Sequence, residues 1–113
     1  MNIFYHENTD YKKTDHEKTG ERILLAKVTG DCDLYSSREL YAGVTGKMKD
    51  GFNRAVLDLS GVAYLDSSGV GAIIRIIKLA KENQITLRFR GIAGTPRKVL
   101  EMSNILSLIV EEP

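Results

Sequence analysis

Two adjacent serines follow an aspartate in the segment Asp66-Ser67-Ser68-Gly69, just ahead of the most apolar run of the chain. The first turn of a helix has free backbone amides that can accept an anion, and glycine leaves room around the hydroxyls. These residues could therefore hold an anion close to the serine hydroxyls. Simple helix capping explains the same residues, because Asp and Ser are among the best caps.

Nucleotide-binding motifs are incomplete elsewhere in the chain. Gly46-Lys47 is followed by Met48, where a phosphate-binding loop needs serine or threonine. Gly69-Val70-Gly71 lacks the third glycine of a dinucleotide site and follows a loop. We therefore expect no cofactor.

Nucleophilic catalysis lacks a general base in this sequence. The histidines, His6 and His16, lie in a polar N-terminal segment, away from Ser67 and Cys32. Asp31-Cys32-Asp33 lacks the glycine and the glutamate that complete a calcium loop. We expect a protein that is neither an enzyme nor a metal binder.

The composition fits one soluble domain of 113 residues, with 42% hydrophobic and 27% charged residues. Sixteen basic and fifteen acidic residues give a net charge of +1, without the basic excess that nucleic acids and acidic membranes attract. One cysteine excludes an internal disulfide and favours a reducing compartment. With no signal peptide and no membrane-length apolar run in the sequence, we expect a cytoplasmic protein.

Strands and helices alternate in the hydrophobic pattern. Strands are predicted at Ile23–Thr29, Ala55–Leu59 and Ile85–Phe89, and helices at Ser37–Lys49, Val70–Ala80 and from Thr95-Pro96 onward. Ser36 and Glu39 form a predicted capping box, Thr95 is the predicted cap of the last helix, and Val99, Leu100 and Met102 are its predicted inner face. This order favours a parallel core sheet covered by helices, with functional loops at its carboxyl edge.

The N-terminal part of the chain has a different pattern. Asn2–His6 could pair at a sheet edge with Ile3 and Tyr5 on one face. Glu7 to Arg22 contains nine charged residues and one apolar residue, which predicts a hairpin excursion, an edge strand or partial disorder. We divide a single domain, residues 1–113, into an N-terminal edge strand with a charged hairpin or loop (1–22) and a core (23–113).

The helix after Ser67 has an apolar arc wider than a core stripe. Ile76 and Leu79 extend that arc, and we predict that both are mostly buried, with any exposed remainder on Ile76. Asp31 and Asp66 each follow a predicted parallel strand. We therefore expect these two aspartates to lie close together at the carboxyl edge.

The stretch Val56-Leu-Asp-Leu-Ser-Gly-Val-Ala-Tyr-Leu-Asp-Ser-Ser-Gly-Val-Gly71 resembles the signature of the STAS domain, the anti-sigma-factor-antagonist family. Further similarities lie at Gly30–Tyr35, Thr95–Leu100 and Met102–Ile105, and the resemblance extends from about Ile23 to the C-terminus. It implies a single α/β domain with a mixed, mostly parallel sheet of four to five strands and helices packed on it. Cys32 stands where the family usually has an aliphatic residue.

The resemblance also implies a binding protein in a partner-switching circuit. In stand-alone members the serine directly after the aspartate is phosphorylated, which is Ser67 here. The unphosphorylated protein binds an anti-sigma factor that is also a serine kinase, and the sigma factor is released. Phosphorylation ends that complex, and a serine phosphatase restores it. No oligomer, nucleic acid or membrane is required.

A partner-binding surface is expected around this serine. Its predicted members are Asp31, Asp33, Asp66, Ser68, Gly69, Ala72 and Ile76. An alternative function for the same fold is that of a STAS subunit in a larger signalling or transport assembly.

Overall fold

A computed structural model describes residues 1–10 and 21–112 of the chain. The elements in chain order are β1 (Asn2–Asp10), β2 (Glu21–Thr29), α1 (Ser36–Met48), β3 (Arg54–Gly61), α2 (Ser67–Glu82), β4 (Thr86–Arg90), α3 (Gly94–Met102) and a 3-10 turn (Leu106–Leu108). The predicted alternation of strands and helices in the core is confirmed. The predictions for residues 11–20 lie outside the described residues.

One mixed sheet holds the strands in the order β1-β2-β3-β4. Strand β1 is antiparallel to β2, whereas β2, β3 and β4 run parallel. The predicted mixed, mostly parallel sheet is therefore confirmed. Beyond β4, the Phe89 amide donates to the Val110 carbonyl at 2.9 Å and the Glu112 amide donates to the Phe89 carbonyl at 2.7 Å, so the C-terminal segment docks at that edge.

The helices cover buried side chains of the strands, and on β2 these side chains alternate along the strand. On β2, Leu24, Ala26 and Val28 are buried, because successive side chains of a strand point to opposite faces. Helices α1 and α2 pack against each other over the sheet.

On helix α2, Ile76 and Leu79 are 0% and 8% exposed, so the predicted burial of both side chains is confirmed. The expectation of an exposed remainder on Ile76 is wrong. Because α1 packs beside α2, it covers the part of the apolar arc that extends past the sheet-facing stripe.

Strand β1 lies at the sheet edge and places Ile3 and Tyr5 on one half-buried face, as predicted. Helix α1 passes close to this face at Gly43. A Cβ at Gly43 would lie 2.6 Å from the Tyr5 hydroxyl oxygen and 3.7 Å from Ile3 Cδ1. This close approach accounts for a glycine that is otherwise unfavourable in a helix interior.

The start and the inner face of α3 differ from the prediction. The helix begins at Gly94, so Thr95 lies inside it and is not its cap. Pro96 is tolerated at the third position because the first-turn amides have no intrahelical acceptor. Leu100 is buried, but Met102 is 80% exposed because it points about 200° around the helix from Leu100.

Candidate functional site

The loops after β2 and β3 are hydrogen-bonded to each other. Cys32 forms a parallel bridge with Leu65: the Cys32 amide donates to the Tyr64 carbonyl at 2.9 Å, and the Asp66 amide donates to the Cys32 carbonyl at 3.2 Å. Since Asp31 precedes Cys32 directly, the two aspartates expected at the carboxyl edge lie on neighbouring loops. Parallel pairing of β2 with β3 is what brings these loops together.

An aspartate accepts amide hydrogen bonds close to the start of each of the two helices at this edge. Asp66 is the N-cap of α2, whereas Asp33 bonds in the turn ahead of α1, whose N-cap residue is Tyr35. The Asp66 carboxylate accepts hydrogen bonds from the Ser68 amide (2.8 Å) and the Gly69 amide (3.1 Å) at the start of α2. The Asp33 carboxylate accepts bonds of 3.0 Å from the Tyr35 and Ser36 amides ahead of α1. Both aspartates therefore accept bonds from amides two and three residues ahead, and for Asp66 this is the usual geometry of a helix N-cap.

The capping box predicted from Ser36 and Glu39 is wrong. The Ser36 hydroxyl instead accepts a bond from the Asp33 amide at 2.9 Å and lies 2.7 Å from the Asp31 carbonyl. Hydrogen bonds from the Ser36 amide and hydroxyl, together with the Tyr35 amide, lower the pKa of Asp33. The sequence signal for this cap was the aspartate three residues before Ser36.

Ser67 is the first residue of α2, directly after the cap, and its side chain is exposed. Its hydroxyl makes no hydrogen bond to any residue that the structure describes. Ser36 and Ser37, by contrast, both bond to backbone groups, and Ser37 is also buried. Among these serines, Ser67 has the hydroxyl that is most open to a modifying enzyme.

Gly69 is required by packing between the two loops. A Cβ at this position would meet the Leu65 side chain, and would lie 2.8 Å from Cys32 Sγ and 3.0 Å from the Cys32 carbonyl oxygen. Its absent side chain lets α2 start against the β2–α1 loop.

Cys32 is a packing residue at the centre of this contact, with 1% of its surface exposed. Burial, and then the charges of Asp66 and Asp33, raise the pKa of its thiol to about 11. The thiol is therefore protonated at neutral pH, and it fills the space that an aliphatic side chain would take.

The predicted partner-binding residues divide into surface and core. Asp31 is exposed, and Asp33, Asp66 and Ser68 are half-buried. The buried members are Gly69, Ala72 and Ile76. In the isolated chain Ile76 has no surface to offer a partner, because α1 covers it.

Sequence reasoning missed a groove between α1 and α2 that begins beside Ser68. Arg38 and Tyr41 line it from α1, and Gly71 and Arg75 line it from α2. The i, i+3, i+7 spacing of Ser68, Gly71 and Arg75 was the available signal that these residues share one stripe.

Within residues 1–10 and 21–112, no group of three or more metal-binding side chains comes together. Across the same ranges, none of the helices has the length and hydrophobicity needed to cross a bilayer.

The chain belongs to the STAS domain family, whose sequence model matches residues 16–112. The anti-sigma-B factor antagonist of Staphylococcus aureus is 26% identical over 91 residues, which cover 80% of this chain and 84% of that protein.

Two solved structures share the fold. The anti-sigma factor antagonist SpoIIAA in its unphosphorylated form has a TM-score of 0.67 at 16% identity, with 80% of each chain covered. SLC26A9 has a TM-score of 0.73 at 13% identity, over 95% of this chain and 21% of that much longer one. The same fold therefore occurs both in a stand-alone antagonist and as a small part of a larger protein.

Proposed function

We propose that this protein is an anti-sigma-factor antagonist that switches partners through phosphorylation of Ser67. Its unphosphorylated form binds an anti-sigma factor with serine kinase activity, and the sigma factor is released. Phosphorylation of Ser67 ends the complex, and a serine phosphatase removes the phosphate. ATP and Mg²⁺ belong to the kinase in this scheme, and the chain itself is a binding protein in the cytoplasm.

The free hydroxyl of Ser67 is the observation that carries this proposal. It is exposed at the N-terminus of α2, and the neighbouring Asp66 already caps the helix. A kinase can reach this hydroxyl without opening the fold. The curated relatives named anti-sigma-B factor antagonists support the same role.

A phosphate at Ser67 would change binding by charge. It adds about −1.5 to −2 charges, beside the carboxylate of Asp66. An anionic group of the partner about 4 Å from the phosphate would be repelled by about 4 kcal/mol per pair of unit charges, at an effective dielectric constant of about 20. Half of that energy weakens binding more than about tenfold. The helix itself remains, because the positive end of its dipole tolerates an added anion.

The test is phosphorylation by the anti-sigma kinases of the source genome, each purified and incubated with the protein, ATP and Mg²⁺. Mass spectrometry should place one phosphate on Ser67. Ser67→Ala should lose it, whereas the matched control Ser68→Ala should keep it. Calorimetry should then show tight binding of the kinase to Ser67→Ala and at least tenfold weaker binding to Ser67→Asp.

Two results would overturn the proposal. One is modification confined to Ser36, Ser37 or Ser68. The other is equal affinity of the Ser67→Ala and Ser67→Asp variants for the kinase. Binding to no anti-sigma factor, with stable association to a transporter instead, would favour the role of a subunit in a larger assembly.

A further inference from the structure

A groove of about 300 Å³ runs between α1 and α2 from the start of α2. Its walls include Leu34, Arg38 and Tyr41 on one side and Ser68, Gly71 and Arg75 on the other. It is open to solvent, and Ser68 links it directly to the candidate phosphoacceptor. A partner that contacts Ser67 therefore has this groove immediately beside it.

Two cations border the groove. Arg38 and Arg75 are exposed, and neither forms a salt bridge with a carboxylate in the described part of the chain. The Arg75 guanidinium lies 5.5 Å from the centre of the Tyr41 ring, in a cation–π contact. This contact favours one orientation of the Arg75 side chain, which lowers the side-chain entropy that a ligand must remove when it binds.

Apolar surface lies at the end of the groove near the start of α1. Leu34 is 60% exposed and Tyr35 is 85% exposed, and together with Arg38 they line an adjoining recess. Exposed tyrosine beside arginine is a composition enriched in protein interfaces. The floor at Gly71 is open, because a Cβ there would meet nothing within 4 Å.

A second recess at the β2–α1 loop has acidic side chains. Asp31, Asp33 and Glu39 line it together with Met1, Tyr35 and Ser36. The surface around Ser67 is therefore divided into an acidic part and a basic, partly apolar part. Only an acidic ligand complements the basic part, and its flanking groups must be apolar to cover Leu34 and Tyr35.

We propose that the α1–α2 groove binds a segment of the anti-sigma factor in which a carboxylate is flanked by apolar side chains. The carboxylate pairs with Arg75 and Arg38, and an apolar neighbour covers Leu34. This inference rests on the proposed function. It also adds a reason for release, since a phosphate on Ser67 lies beside the Ser68 end of the groove and repels the carboxylate that the arginines attract.

The decisive variant fills the groove and leaves the core intact. Gly71→Gln adds a side chain above the open floor. Gly46→Gln is the matched control, because Gly46 is also a helical glycine with no atom within 4 Å of an added Cβ, and it does not line the groove. Both changes replace glycine by a better helix former, so neither melting temperature should fall. Arg75→Glu is a second variant that tests charge separately.

Calorimetry would measure binding of each unphosphorylated variant to the anti-sigma factor of the source genome that binds the wild-type protein. Gly71→Gln and Arg75→Glu should each bind at least tenfold more weakly, and Gly46→Gln should bind within twofold of wild type. Added NaCl should weaken wild-type binding more than that of Arg75→Glu, since the variant lacks one attracted charge.

The outcomes separate this proposal from the function on which it rests. Wild-type affinity in both Gly71→Gln and Arg75→Glu, with binding still abolished by Ser67→Asp, overturns the groove and leaves the function intact. Failure of the wild-type protein to bind any anti-sigma factor overturns both. Sedimentation that finds a wild-type dimer, lost in Gly71→Gln, would make a second copy of this chain the occupant and overturn the proposal.

Discussion

Replacing Asp66 separates two roles that one carboxylate could have beside Ser67. One oxygen, Oδ1, accepts both hydrogen bonds from the start of α2, at 2.8 and 3.1 Å. The other oxygen has no hydrogen-bond partner in the part of the chain that the structure describes. Asp66→Asn can keep the acceptor and loses the charge, whereas Asp66→Ala loses both.

The expected energies follow from these bonds. Loss of an N-cap costs about 0.5 to 2 kcal/mol. Loss of the favourable charge at a helix N-terminus costs about 0.3 to 1 kcal/mol. Asp66→Ala should therefore lower the free energy of unfolding by about 1 to 3 kcal/mol, and Asp66→Asn by at most about 1 kcal/mol. For a domain of this length, 1 kcal/mol corresponds to about 3 to 6 °C in the melting temperature.

Denaturant unfolding and calorimetry of the same two variants would test this. If the charge belongs to the partner surface, Asp66→Asn should bind the anti-sigma factor more weakly than wild type although its stability is nearly unchanged. Equal stability of Asp66→Ala and wild type would refute the capping role. Wild-type affinity in Asp66→Asn would refute the role of the charge and reduce Asp66 to a helix cap.

Three further predictions test the packing around the site. Ile76→Ala should lower the free energy of unfolding by about 2 to 5 kcal/mol in denaturant melts, because it opens a cavity in the core, and an unchanged value would contradict the burial. Gly69→Ala should lower the free energy of unfolding by about 1 to 3 kcal/mol, because the added methyl group overpacks against Cys32. Gly71→Ala should raise it by up to about 1 kcal/mol, because alanine is the better helix former and has room there. The opposite order of the two melting temperatures would refute the packing argument. Burial, and then nearby carboxylates, raise the pKa of the Cys32 thiol from 9.0 to about 11. Between these pH values the folded state keeps a proton that the unfolded state loses, so the free energy of unfolding should fall as the pH rises from 9 to 11. Cys32→Ala lacks the thiol and should show a shallower fall in the same denaturant melts.

The sheet and the helices could be predicted because their hydrophobic periods are strong. Alternating buried residues on β2 and the repeat of apolar residues from Val70 to Ala80 each match one kind of element. Parallel order then placed Asp31 and Asp66 on neighbouring loops. These conclusions depend on sequence patterns that persist over several residues.

Helix ends were harder to predict because several polar residues compete for the same amides. Ser36 and Glu39 match a capping box, but Asp33 reaches the Tyr35 and Ser36 amides first, and the Ser36 hydroxyl bonds within the loop. At α3, Thr95 and Pro96 match a cap and first position, yet the helix starts one residue before Thr95. Local spacing does not decide which acceptor satisfies these donors.

Contacts between helices could not be predicted from the period of one helix. The width of the apolar arc on α2 left open whether another helix or a partner covers Ile76. In the structure Ile76 is fully buried within the domain, where α1 packs against α2. The groove depends on the same contact, since Arg38 and Arg75 lie far apart in sequence and meet only when the two helices pack.

The division of work between Asp66 and Ser67 explains how a phosphate could change binding without unfolding α2. Asp66 supplies the cap, so the hydroxyl of Ser67 holds no bond among the described residues that a phosphate would break. Ser36 has the opposite arrangement, because its hydroxyl joins Asp33 to the Asp31 carbonyl, and a phosphate there would disrupt the loop. A serine next to a cap can thus gain charge while the cap and the helix stay in place. The new charge then changes the free energy of partner binding and leaves the free energy of unfolding of the domain nearly the same.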